Sequence, residues 1–235
     1  MSLPGSELSS DELHDVRLAW PTRRVDEVRG RLMRFVTDEV TTPDGHTMVR
    51  EYLEHPGAVA IIAVDDNSRV AVVTQYRHPV GFQEVEAPAG LLDIASEDPL
   101  AAAQRELAEE AELAAKNWRV LVDIFSSPGG SSESLRIYLA RDLVQAPRPE
   151  GFVLGDEEAH MEVRWAALDD IVDGIYAGHL QNPSLVVGAL SLKTAIHEGR
   201  VDHLRPADDP WVARTGRHHR DSDGQLERHV TVDRS

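Results

Sequence analysis

Apolar and polar positions change their period several times along the 235 residues. "GRLMRFVTDEVTTPDGHTMVREYLEH" predicts two strands around a turn at Pro43-Asp44-Gly45. "GAVAIIAVDD", "RVAVVTQYRH" and "EVEAPAG" are short β-rich runs, separated by turn signals at Asp66-Asn67-Ser68 and Pro79-Val80-Gly81. After Gly90 the period becomes helical. Leu100, Ala103, Leu107 and Ala111 form one apolar face, with Pro99 suited to the first helical position and Asp98 to the cap before it. "WRVLVDIFSSP" and "SLRIYLARDLV" predict strands around a Pro-Gly-Gly turn, and "MEVRWAAL" one more. "LDDIVDGIYAG" and "PSLVVGALSLKTAIHEG" predict two helices, the second opened by Pro183 and closed by Gly199.

Strands outnumber crossover helices, which argues for an α+β fold, an α/β/α sandwich with a mixed sheet, over a doubly wound parallel one. The expected organisation is an arm over residues 1–25, a strand pair over 26–56, the main domain over 57–203 and a poorly ordered tail over 204–235. The tail is rich in Asp, Arg, His and Gly. Its paired His218 and His219 lie beside Arg220 and Asp221, and no function is assigned to them.

Charge narrows the range of partners. The chain carries 41 acidic and 24 basic residues, a formal net charge of −17. Nucleic acid and anionic membranes are themselves negative and are poor partners for such a surface. Phosphate remains accessible if metal ions stand between the two. Without cysteine there is neither a disulfide framework nor a thiolate zinc site. No apolar run approaches the roughly 18 residues of a membrane span, and the N-terminus has no signal-peptide pattern. A cytoplasmic location is the expectation.

The densest charge lies in "QRELAEEAEL", Gln104 to Leu113. At about 100° per residue, Glu106, Glu109 and Glu110 share one arc beside the apolar stripe. Like charges one turn apart cost a helix a few tenths of a kcal/mol per pair. Two readings follow: an ordinary solvated face, or a seat for a hard divalent cation such as Mg²⁺ or Mn²⁺.

The surrounding "GLLDIASEDPLAAAQRELAEEAEL" resembles the Nudix box, Gly-x5-Glu-x7-Arg-Glu-U-x-Glu-Glu-x-Gly-U with U aliphatic. Gly90, Glu97, Arg105, Glu106, Leu107, Glu109, Glu110 and Leu113 match it. Two departures stand out. Six residues separate Gly90 from Glu97, one more than the pattern, and Glu112 replaces the second glycine. That glycine commonly ends the helix in a left-handed turn, where glutamate carries a steric cost.

The flanking "QYRHPVGFQEVEAPAGLLD" and "SSPGGSSESLRIYLA" resemble ADP-ribose pyrophosphatases of the actinobacterial type, including a proline, Pro128, fifteen residues past Leu113. The resemblance spans roughly residues 30 to 195. It implies metal-dependent hydrolysis of ADP-ribose, or another nucleoside diphosphate sugar, by a homodimer that exchanges its N-terminal strands. It also implies Glu106 and Glu110 as principal ligands of Mg²⁺ or Mn²⁺, with Glu109 sharing a further ion. The Ala89 carbonyl would add an oxygen, while Glu97 and Arg105 would support the ligands. The general base would be Glu158, or else Glu157, in "LGDEEAHMEVRW". Arg77 would contact phosphate or ribose, Glu86 would lie on the substrate side, and Ser132 and Glu133 would border the terminal ribose. The alternative is a sensor that binds such a nucleotide without cleaving it. Retention of the box glutamates favours the enzyme, whereas Glu112 leans toward the sensor.

Overall fold

A computed structural model describes residues 7–149 and 161–214. The chain divides into two units, residues 1–53 and 54–235. In the first, strands β1 (Thr22–Arg29), β2 (Arg34–Thr41) and β3 (Thr47–Glu54) form one sheet in that order, with β1 antiparallel to β2. The turn at residues 43–45 lies between β2 and β3 as expected. The expected pair is nevertheless a trio. β1 reads TRRVDEVR, largely exposed and charged, so it lacks the apolar alternation that would announce a strand.

The second unit carries the main core. Strand β4 (Ala58–Ala63, AVAIIA) is buried along its whole length. Its alternate residues feed two separate apolar clusters, which is how a strand covered on both faces reads. Ala58, Ala60 and Ile62 pack with Leu185, Ala189 and Leu192, whereas Val59, Ile61 and Ala63 pack with Ala103, Leu107 and Ala111. The first group of partners lies on helix α3 (Pro183–His197) and the second on helix α1 (Pro99–Ala111). The two helices therefore cover opposite faces, which makes the α/β/α sandwich. Gly188 is where α3 comes closest: a Cβ there would sit 2.6 Å from the Ile62 side chain.

β4 runs parallel to β9 (Ser134–Gln145) and antiparallel to β7 (Ala89–Leu91). β9 pairs antiparallel with β8 (Leu113–Phe125), and with β11 (Arg205–Pro206) the mixed sheet reads β11-β8-β9-β4-β7. A second sheet, β10-β5-β6, joins Glu162–Ala167, Arg69–Arg77 and Phe82–Glu86, all antiparallel. Helix α2 (Leu168–Tyr176) follows β10. "EVEAPAG", one run in the sequence, is split at Ala87-Pro88 into the end of β6 and the start of β7. Pro88 has no N–H for a ladder, but its carbonyl accepts from Ile61 N at 2.8 Å.

The expected tail needs correction over residues 204–214. Arg205 and Pro206 form β11 on β8, and Trp211 is buried in the cluster beneath α1. Trp211 lies against two guanidinium groups, those of Arg136 and Arg214, at 4.9 and 5.8 Å from its ring centre. Arg136 donates to the Asp209 carbonyl at 2.7 Å. The anchor Arg136 comes from far along the chain, so local composition gives no hint of it.

Candidate active site

The α1 start is built as its sequence requires. The Asp98 side chain accepts from Leu100 N and Ala101 N, and Pro99 opens the helix. Arg105, on the second turn, gathers the box carboxylates. Its Nε and Nη2 donate to the two oxygens of Glu97 at 2.9 and 3.0 Å. Its Nη1 donates to Glu106 at 2.7 Å and to Glu109 at 2.9 Å. The bonds to Glu97 above all, then the charge of Glu106, raise the guanidinium pKa against the cost of burial, so Arg105 is a permanent cation. Arg105 thus contacts three carboxylates at once.

Glu110 points from the same helix to β7, where its Oε2 accepts from Ala89 N at 3.0 Å. Glu109 and Glu110 are both buried. Gly90 explains the close packing of strand against helix. A Cβ at that position would lie 1.9 Å from Glu106 Oε1, so only glycine leaves room for the carboxylate. Glu97, Arg105, Glu106, Glu109, Glu110 and Ala89 thus meet where α1 crosses β7. Among the described residues, no three His, Cys, Asp or Glu side chains converge closely enough to hold an ion as they stand. Glu106 and Glu109 are turned toward Arg105 instead.

Arg77 of β5 and Glu86 of β6, whose register partners are Phe82 and Val73, are joined by a two-bond fork at 2.7 and 2.6 Å. Glu86 is buried and Arg77 is partly exposed. Its bonds to Glu86 first, with the charges of Glu110 and Glu84 contributing, raise the Arg77 pKa. The two residues therefore form one unit near Glu110. Glu84 in turn accepts from Asn182, the residue that caps α3.

The turn after β8 carries Pro128. Ser132 Oγ accepts from His55 N at 3.0 Å, and Glu133 lies 3.6 Å from His55 Nε2. His55 is buried and takes the Gly57 N–H on Nδ1 at 3.0 Å, which leaves Nε2 as the protonated nitrogen of the neutral ring. No sequence signal pointed to His55. Glu157 and Glu158 lie outside the described residues.

Glu112 adopts the left-handed conformation expected of the glycine it replaces, at φ 54° and ψ 37°. Such a conformation costs a non-glycine residue about 1 kcal/mol. Two contacts offset this: Arg148 Nη1 pairs with Glu112 Oε1 at 2.9 Å, and Ala146 N donates to the Glu112 carbonyl at 2.9 Å. The sequence did not single out Arg148.

In this sandwich the first helix and its approach to β7 bring together one arginine and four glutamates. The chain belongs to the Nudix family: the NUDIX domain model matches residues 54–184. It is 41% identical over 185 residues to an ADP-ribose pyrophosphatase of Mycobacterium tuberculosis, covering 79% of this chain and 87% of that protein. It is 32% identical to a methanol dehydrogenase activator of Bacillus methanolicus, over 70% of this chain and 86% of that one. A crystal structure of an ADP compounds hydrolase shares the fold, with a TM-score of 0.62 and 22% identity over 77% of this chain and 95% of that one.

Proposed function

We propose that this chain hydrolyses ADP-ribose to AMP and ribose 5-phosphate with the help of Mg²⁺ or Mn²⁺. The single observation that carries this reading is the acidic corner of α1 and β7, where three carboxylates share one guanidinium and a fourth lies beside them. The similarity to the M. tuberculosis enzyme supports the substrate. The donors are hard oxygens, and Gly90 leaves room for the Glu106 carboxylate beside β7, so the residues fit a divalent ion. When bound, such ions neutralise the diphosphate and lower the pKa of water.

The chain's own residues do the rest. Glu106, Glu110 and Glu109 would hold the cation, with the Ala89 carbonyl as a further oxygen. Glu97 acts through Arg105, which orients the ligands. Arg77, braced by Glu86, offers its guanidinium to phosphate or ribose oxygens. Pro128, Ser132 and Glu133 border the terminal ribose. Glu158 takes the proton from the attacking water, with Glu157 next in line. The water oxygen joins one phosphorus, and the bridging oxygen leaves with the other phosphate. Homodimerisation through the N-terminal sheet fits the exposed Val28, Phe35 and Val49 on its three strands. A cytoplasmic location fits the absence, among the described residues, of any helix long and apolar enough to cross a membrane.

Chromatography of ADP-ribose incubated with the protein and Mg²⁺ tests the reading. AMP should accumulate with the wild type and not with Glu110→Gln. Nucleotide binding without any AMP would establish the sensor instead.

A further inference from the structure

The C-terminal turn of α1 is held from outside, by a segment that the catalytic reading leaves unused. The helix ends at Ala111 and its last turn carries no basic residue of its own. The chain leaves directly into β8 at Leu113, so the carbonyls of the final turn lack continuing helical donors. Arg148 fills that role. Its Nε donates to the Glu109 carbonyl at 2.8 Å, while its Nη1 reaches the Glu112 carboxylate at 2.9 Å. A cation there also opposes the negative end of the helix dipole.

The sequence around Arg148 prepares it for this contact. It stands between Pro147 and Pro149, just after β9. A following proline keeps Arg148 out of helical backbone conformations, and the two rings fix the chain on either side. Less backbone entropy is then lost when the guanidinium docks. Ala146 adds the one backbone bond, to the Glu112 carbonyl at 2.9 Å. The carbonyl that Arg148 grips belongs to Glu109, whose carboxylate is on Arg105, and the next residue is Glu110.

We infer that Pro147-Arg148-Pro149 is a positioning clasp for the cation-binding turn of α1, and that Glu112 replaces glycine because its carboxylate gives the clasp a second anchor. The inference rests on the proposed function, since it takes Glu109 and Glu110 to be cation ligands. Glu112 then departs from the box pattern without signalling decay: the left-handed turn is kept, and the side chain gains a partner. Arg148 touches no reacting atom. It acts through the helix end.

The test measures Mn²⁺ binding directly, by calorimetry without substrate, on the full chain. Arg148→Ala alone could lose both stability and affinity. Glu112→Gly is therefore combined with it, because glycine relieves the left-handed backbone and restores melting temperature. The double variant should melt close to the wild type yet bind Mn²⁺ about tenfold more weakly, the usual size of an effect on groups that orient metal ligands. Arg148→Lys, which keeps the charge without the two-target fork, should fall between. Wild-type affinity in a stably folded double variant overturns the clasp and leaves the proposed function standing. A wild-type protein that binds no Mn²⁺ overturns both.

Discussion

Two arginine-centred clusters, around Arg105 and around Arg136, hold carboxylates with opposite charge balance. Arg105 faces Glu97, Glu106 and Glu109, with Glu110 on the same helix. Arg136 is buried in a fork with Asp123, while Arg205 joins Asp123 to Asp209, so two cations meet two anions. The second cluster is complete as it stands. It ties the segment after residue 204 to β8 and β9, and stacks beneath Trp211. The first sets three carboxylates against one guanidinium, and that excess of negative charge fits the proposed cation site. The neutral cluster fits a structural role, whereas the acidic one fits the proposed ligand site.

The contrast can be broken at either end. Glu110→Gln should lower kcat by at least about a hundredfold while the melting temperature changes little, because an unbalanced site contributes to chemistry and not to folding. Rates at saturating Mg²⁺ beside thermal denaturation give both readings. Arg136→Ala should do the reverse. Removing one partner of a buried pair costs about 3 kcal/mol, and urea denaturation should show it, with kcat of the folded fraction retained. A variant of Arg136 that kept full stability would erase the distinction.

Much of the acidic corner was legible because its rules are local. Asp98, Pro99 and the arc of glutamates follow helix periodicity and capping, and Glu112 falls in the left-handed turn that its position demanded. The pairs β2–β3 and β8–β9 likewise declared their turns. The second cluster was not legible. Arg136 and Asp209 are 73 residues apart in sequence, and Asp209 lies in a stretch whose composition resembles a tail. β1 was missed for a related reason, since its side chains face solvent and leave no apolar period. Interactions closed over long chain distances, as for His55 with Ser132, have no local signature.

Smaller effects sharpen the picture. Trp211→Ala should cost about 3 kcal/mol by emptying a buried aromatic site, which would confirm that residues 204–214 belong to the domain. Tyr138, beside Arg136, gives the mildest effect. Burial pushes its hydroxyl pKa up to about 12 from an ordinary 10. The neutral form is favoured in the folded chain, so its contribution is full below pH 10 and is lost as pH rises toward 12. Tyr138→Phe should flatten that alkaline loss in a pH series of melting temperatures.

The most direct test of the central claim is anomalous diffraction from crystals grown with Mn²⁺. An anomalous peak at the α1–β7 corner, ligated by Glu106 and Glu110, is the predicted result. A saturated crystal whose only peaks lie elsewhere would contradict it.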